Sequence, residues 1–257
     1  MNEAILALVR RHDPDRFLTA LFAPADRRDA LLTLYAFNHE LARAREVVSE
    51  PPLALIRLQW WREVVEGARR RHEVADPLTA VIEAGLLRPD DLLPLIEARE
   101  AEADPSFETL ADWLAWVQAG AGGLAVAAAR ILGAGEPEAF RPFGAAYGVA
   151  GVLRSVPVLA AAGRCLLPLD LLAEQGLSPE AAIADPGAAP VQTVLRRLAQ
   201  EGRGILRAAR RVGGPAVAAA LPGVLARRDL RRWPVVVGER GLGDRLAVTW
   251  AGMRARV

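Results

Sequence analysis

The sequence predicts an all-α fold, a single-domain helical bundle over residues 1–257, and three observations carry that prediction. Just over half of the 257 residues are apolar (52%), enough to bury one full core. Strand signals are nearly absent: β-branched residues are scattered, and only PVVVG at 234–238 has strand character. Apolar residues instead recur at spacings of three and four, in segments punctuated by Pro and Gly.

The opening MNEAILALVRRHD is too short in its apolar part and too acidic for a signal or transit peptide, so a cytoplasmic location is expected. In PADRRDALLTLYAFNHELARAREVVSE, residues 24–50, the apolar positions Ala30, Leu31, Leu34, Ala36, Phe37 and Leu41 keep helical spacing between Pro24 and Pro51. A second helix follows Ser49, with Pro51 and Pro52 in its first turn and Leu55, Ile56, Leu58, Trp60, Val64 and Val65 along it. Its adjacent tryptophans cannot share one face, which favours Trp60 in the core and Trp61 half covered; the alternative is a partner or membrane contact. Shorter helices are expected at 77–87 and 90–103.

Two long, smooth segments come next. One runs from an N-cap at Ser106, with Glu108 and Asp112 in the early turns, through Ile131 to Gly133; the other runs from Pro137 to about Ala162. Ala and Gly fill much of both, so their backbones can approach closely and leave room for something between them. The longest uncharged run, 113–129, falls in the first; its Gly and Ala content and Gln118 favour a buried core helix over a membrane span. Breaks at PGAAP (186–190) and VGGP (212–215) separate the helices that complete the bundle.

Composition excludes several function classes. Acidic and basic counts, 31 and 32, nearly cancel, so no global field argues for nucleic acid. The only cysteine, Cys165, fits a reducing compartment and reads as a small buried apolar residue. There is no Lys, so apart from the histidines every cation is a fork-shaped guanidinium. The Arg-rich stretches 69–71, 207–211 and 227–232 read as solvated faces, with an anionic membrane surface as the alternative for one of them. No Ser/His/Asp triad, phosphate loop or metal-binding His/Cys spacing is visible.

RFLTALFAPADRRDALLTLYAF, residues 16–37, resembles the opening of the squalene and phytoene synthase family. LADWLAWVQAGAGGLAVAAARILG, residues 110–133, is similar to that family's central helix, with Trp116 where a Tyr commonly sits. AYGVAGVLRSVPVLAAAGRCLLPLDLL, residues 146–172, resembles the segment carrying its second acidic motif. The resemblance implies an isoprenoid (terpenoid) synthase-like bundle with a central pocket. Catalytic members join two prenyl diphosphates head to head, using Mg²⁺ held between two acidic motifs on facing helices. Carboxylates four apart share a helical face, and two such faces can hold hard cations that clamp diphosphate oxygens.

This chain departs from that pattern. The resemblance places the first motif at Ala42 and Glu46, with Arg43 in place of an acid and His39 in place of an Arg. It places the second at Gly151, Ser155 and Leu159, where Pro157 disturbs the helix. One surviving carboxylate cannot organise a metal cluster, so no catalytic residue and no metal are expected; Mg²⁺ tethered by Glu46 and phosphate, with Arg43, Arg45 or Arg154 on diphosphate, is the alternative. AFNHELARAREVVSEPPLALIRLQWWREVVEG, residues 36–67, resembles the family's non-catalytic branch, typified by the mitochondrial complex I assembly factor 6. That likeness implies a role in maturing respiratory NADH dehydrogenase at the inner membrane. Its partners would be a complex I subunit or assembly intermediate, with an isoprenoid or lipid ligand and peripheral membrane contact as further options. A prenyltransferase with a degenerate metal site and a lipid-binding scaffold unrelated to respiration are the rivals.

The pocket candidates are Tyr35, His39, Arg43 and Glu46 on the first long helix and Trp116, Tyr147 and Arg154 on the later two. Each has a plainer reading. The stripe Tyr35, His39, Ala42, Glu46 faces the pocket, or the polar residues around it form a solvated face with Glu–Arg pairing, and His39 alone reads as a hydrogen-bonded core residue. Gly148 and Gly151 admit a ligand or pack a second helix closely. Asp170 caps a helix or pairs with Arg164.

Overall fold

The computed structural model describes residues 2–46, 51–102, 107–232 and 240–257, the side chains of Glu46 and Pro51 excepted. Among them the chain is helical throughout and carries no strand beyond one isolated bridge, Gly213 to Arg256. The PVVVG segment and Ser106 lie outside the described residues.

Two short helices open the chain, α1 (Glu3–His12) and α2 (Pro14–Ala20), joined at Asp13. The Asp13 carboxylate accepts from the Arg16 backbone N–H, capping α2, and from the Arg16 guanidinium at 2.7 Å. Then comes α3 (Ala25–Glu46), followed by α4 (Pro51–Val65), α5 (Ala75–Glu83) and α6 (Pro89–Glu100). On α4 the buried positions are Ala54, Leu58, Trp61, Val64 and Val65, spaced by three and four. That register reverses the expectation for the tryptophans: Trp61 is 3% exposed, edge-on to Phe37 at 5.4 Å, and Trp60 is the half-buried one. Residues 54 and 58 fix which face turns inward, and 61 completes it where 60 lies about 100° away.

The first smooth segment is a rod, Leu110–Ile131, made of α7 (Leu110–Val117), a π-turn (Gln118–Gly122) and α8 (Gly123–Ile131). Its start is capped at Thr109, whose hydroxyl accepts from the Asp112 N–H while the Asp112 carboxylate accepts from the Thr109 N–H. Asp170 adds a second cap from 60 residues away, accepting the Leu110 N–H at 2.8 Å, which decides its role as a helix cap. A π-turn shifts the backbone ladder, and the Gln118 carbonyl accepts from the Arg141 guanidinium at 2.8 Å. The second segment is α9 (Arg141–Ala161), preceded by a 3₁₀ turn, Pro137–Phe140. α9 continues through Pro157, within the expected span. By length and composition both segments could cross a bilayer, yet half of each apolar window is buried within the bundle, and Ala127, Ala128 and Ala129 are wholly inaccessible.

Short helices α10 (Leu169–Glu174) and α11 (Pro179–Ala184) lead to α12 (Ala189–Ala208), α13 (Pro222–Arg231) and α14 (Leu242–Met253). The rod packs between α3 and α6 on one side and α9 on the other; α12 and α13 cover the outer face of α9. One apolar core runs through all these layers, with Trp113, Tyr35, Phe37 and Phe143 its largest fully buried side chains. The Trp113 indole, buried in that core, donates to the Leu166 carbonyl at 2.8 Å, so its N–H carries no desolvation cost.

Candidate functional site

Close packing at one end of α9 and divergence at the other produce the site. A Cβ at Gly144 would strike the Ala121 carbonyl oxygen and approach the Ala125 Cβ to 2.6 Å; one at Gly148 would reach the Ala121 Cβ at 2.5 Å. A turn later, nothing lies within 4 Å of where a Gly151 Cβ would be. A cavity of about 290 Å³ opens there, near the lower bound of ~300 Å³ for small-molecule sites.

Its walls come from α3 (Asn38, Ala42), α6 (Leu95, Ala98), the rod (Trp116, Gly120) and α9 (Tyr147, Gly151, Ser155, Leu159). Four charged residues join them, Arg16, Arg99, Glu102 and Arg164. Trp116 is fixed by its indole N–H, which donates to the Ala98 carbonyl at 2.9 Å, and by the Phe107 ring, tilted against it with centroids 4.8 Å apart. The Tyr147 hydroxyl donates to Asp15 at 2.9 Å, and the Arg16 guanidinium lies 4.9 Å over its ring. Burial, joined by the negative charges of Asp13 and Asp15, pushes the Tyr147 phenol well above its ordinary pKa.

The charge balance of the lining is positive. Arg99 grips Glu102 through both carboxylate oxygens, at 2.9 and 3.1 Å, and Arg164 donates to the Glu102 backbone carbonyl at 3.3 Å. Arg16 is held by Asp13. Three guanidiniums thus face one carboxylate, and that carboxylate is already engaged.

The sequence and fold match known proteins over most of the chain. The family profile described as squalene/phytoene synthase matches residues 9–234. The chain belongs to the squalene/phytoene synthase family. It is 28% identical over 183 residues to NADH dehydrogenase (ubiquinone) complex I, assembly factor 6, of Rattus norvegicus and of Homo sapiens. The Drosophila melanogaster homolog is 27% identical over 188 residues. These alignments cover 68% of this chain but only 55–56% of those relatives, so the chain spans about half of their length. Among solved structures, a dehydrosqualene synthase in complex with ligand superposes with a TM-score of 0.77 at 13% identity, covering 98% of this chain and 95% of that one. Squalene synthase HpnC from Alicyclobacillus acidocaldarius gives 0.65 at 18%, covering 98% and 93%. At those identities the likeness establishes the isoprenoid-synthase fold.

Of the positions that the resemblance matches to the two acidic motifs, Ala42 on α3 and Gly151, Ser155 and Leu159 on α9 line one cavity. A hard cation needs oxygen ligands; the one carboxylate in the described lining, Glu102, is paired with Arg99, and no group of three or more His, Cys, Asp or Glu placed to hold a metal ion occurs among the described residues. The Ser155 hydroxyl donates to the Val152 carbonyl, and the side chain of Glu46 lies outside the described residues.

The pocket candidates divide. Trp116 and Tyr147 line the cavity, whereas Tyr35 is buried behind Tyr147 at a separate void of about 10 Å³ and its phenol is raised by burial. His39 does not line the cavity; its ring stacks on His12 of α1 at 4.5 Å. Arg43 is likewise turned away and pairs at 3.0 Å with Glu40, itself 3% exposed. The stripe that faces the cavity is Asn38 and Ala42, one turn apart, and a step from 38 to 39 rotates a side chain by roughly 100°. Arg154 points to the other side of α9, toward Asp229 of α13 at 3.7 Å, because 151, 155 and 159 hold the cavity face. Asn38 sits inside the quoted AFNHE and follows from the i, i+4 rule once Ala42 is placed. Arg16, Arg99, Glu102 and Arg164 carried no local signal, since they come from three different segments. Gly148 packs against Ala121 and also lines the cavity, whereas nothing lies within 4 Å of a Cβ at Gly151.

Proposed function

We propose that this chain is a non-catalytic member of its family that acts in the assembly of respiratory complex I, with the cavity holding an isoprenoid-like or lipid ligand. One observation carries the reading. The positions that the resemblance matches to the two metal-binding motifs are Ala42 and Glu46 on α3 and Gly151, Ser155 and Leu159 on α9; Glu46 is the one acid kept, and the one carboxylate in the described lining, Glu102, is bound by Arg99. A single retained acid with none matched to it on α9 does not organise the divalent ions that would neutralise a leaving diphosphate, which is where this class of chemistry draws its transition-state stabilisation. The likeness to complex I assembly factor 6 supports a role connected with complex I.

Deleting the gene is expected to lower assembled NADH dehydrogenase on native gels while leaving carotenoid and hopanoid levels unchanged. In parallel, purified protein with farnesyl diphosphate and Mg²⁺ should give no coupled product. The three cavity arginines favour a second reading, a prenyltransferase that meets diphosphate through Arg16, Arg99 and Arg164 with little help from metal. Steady product formation, with a normal complex in the deletion strain, would establish that reading in place of the first.

A further inference from the structure

Helix α14 takes no part in the cavity, and it presents an apolar stripe to solvent. Leu242, Leu246, Trp250 and Met253 are 78, 67, 61 and 74% exposed. Their spacing of four, four and three puts them in one row about 16 Å long. The opposite face is fully committed. Val248 belongs to a small apolar cluster with Leu221 and Leu225, Gly252 abuts the Phe22 ring, and the buried Asp244 accepts from Arg228 at 2.5 Å and Arg232 at 3.1 Å.

Charge distinguishes this stripe from an ordinary exposed patch. Asp244 is the only acid between residues 240 and 257 and it faces inward, so every outward charge there is basic: Arg245, Arg254 and Arg256. The Arg254 guanidinium lies 4.5 Å over the Trp250 ring. Neighbouring α13 adds the exposed Arg227 and Arg231. Beside the helix lies a groove of about 460 Å³ with Phe17, Leu18 and Leu21 in its lining and Arg10, Arg11 and Arg245 around it. Those three arginines make no ion pair among the described residues, and the groove's own acid, Asp15, is held by Arg240 at 2.9 Å. An apolar row centred on Trp and flanked, among the described residues, by guanidiniums is the composition of a helix lying in a membrane interface.

We propose that α14 and the adjoining groove dock on an anionic bilayer, the stripe entering the headgroup–acyl boundary and the arginines meeting lipid phosphates. This does not rest on the function proposed above. Flotation of the purified full chain tests it. The protein should rise with phosphatidylcholine vesicles containing about 30% phosphatidylglycerol, and binding should weaken severalfold at about 0.5 M salt. Phosphatidylcholine alone should carry little protein. Leu246→Gln and Trp250→Gln should each weaken partition by about tenfold. Both residues are exposed, so unchanged thermal melting is the control. Independently, brominated lipid chains should quench a component of the fluorescence that Trp250→Phe removes. The proposal is overturned if the wild type floats with neither vesicle, if both substitutions leave flotation unchanged, or if the protein elutes as a dimer that Leu246→Gln dissociates, which would give the stripe to a second copy.

Discussion

The two ends of α9 use glycine in opposite ways. At Gly144 and Gly148 the helix presses on the π-turn so closely that a methyl group has nowhere to go; at Gly151, one turn on, the same face looks into open space. Helices that cross in close contact must separate away from the crossing, so the tight end helps to make the cavity at the other. A glycine-rich stripe is therefore neither packing nor pocket as a whole, and its meaning changes turn by turn.

The tight end should be the easier to break. Gly144→Ala puts a Cβ against a backbone oxygen that cannot rotate aside, and overpacking of that kind should cost about 3 kcal/mol. Denaturant unfolding would read it as a lower midpoint with an unchanged slope. A cost below about 0.5 kcal/mol, the size of an ordinary surface change, would mean that the rod and α9 are not clamped there.

Tyr147 stands at the boundary between the two ends, and Tyr35 lies behind it. They are the chain's only tyrosines, and burial raises both phenols in the folded state. Absorbance at the tyrosinate band should show no titration near the ordinary midpoint of about 10 while the fold persists. The sign follows from proton counting. Above about pH 10 the unfolded chain releases phenolic protons that the folded chain keeps, so stability falls as pH rises, by up to ~1.4 kcal/mol per pH unit for each tyrosine. A reversible tyrosinate signal near pH 10 in folded protein would mean that the Tyr147 hydroxyl is not held on Asp15 as the geometry indicates.

Most of the fold was legible because helical periodicity is a local property, and the segments expected at 24–50, 106–133 and 137–162 contain α3 (Ala25–Glu46), the rod (Leu110–Ile131) and α9 (Arg141–Ala161). The misreadings share one cause, rotation about a helix axis. Trp60 and Trp61 exchanged roles because residues 54 and 58 set the register of α4, and His39 and Arg154 left the cavity because each is about one residue's rotation off the stripe that lines it. The charged lining was illegible for a different reason. Arg16 is positioned by a cap at Asp13, Arg99 by Glu102 one turn on, and Arg164 by a carbonyl 62 residues away. Only the closed bundle brings such residues together, and no spacing in the chain encodes it. Likewise, Asp170 reaches the start of α7 only because Leu169 and Asp170 pair by backbone with Phe107 and Glu108.

The smallest predicted effect is at the open end, and it tests the comparison from the other side. Gly151→Ala adds a methyl where no atom lies within 4 Å, while replacing the least favourable non-proline residue of a helix interior with the most favourable. Stability should therefore stay the same or rise by about 0.5–1 kcal/mol, opposite in sign to Gly144→Ala on the same helix. The two substitutions are chemically identical and differ only in what stands opposite, so the sign of their difference isolates the neighbour from the propensity. Were Gly151→Ala to cost as much as Gly144→Ala, the α9 face beyond Gly148 would have to be closed in solution, leaving Ser155 and Leu159 packed against the rod with no cavity for a ligand to occupy.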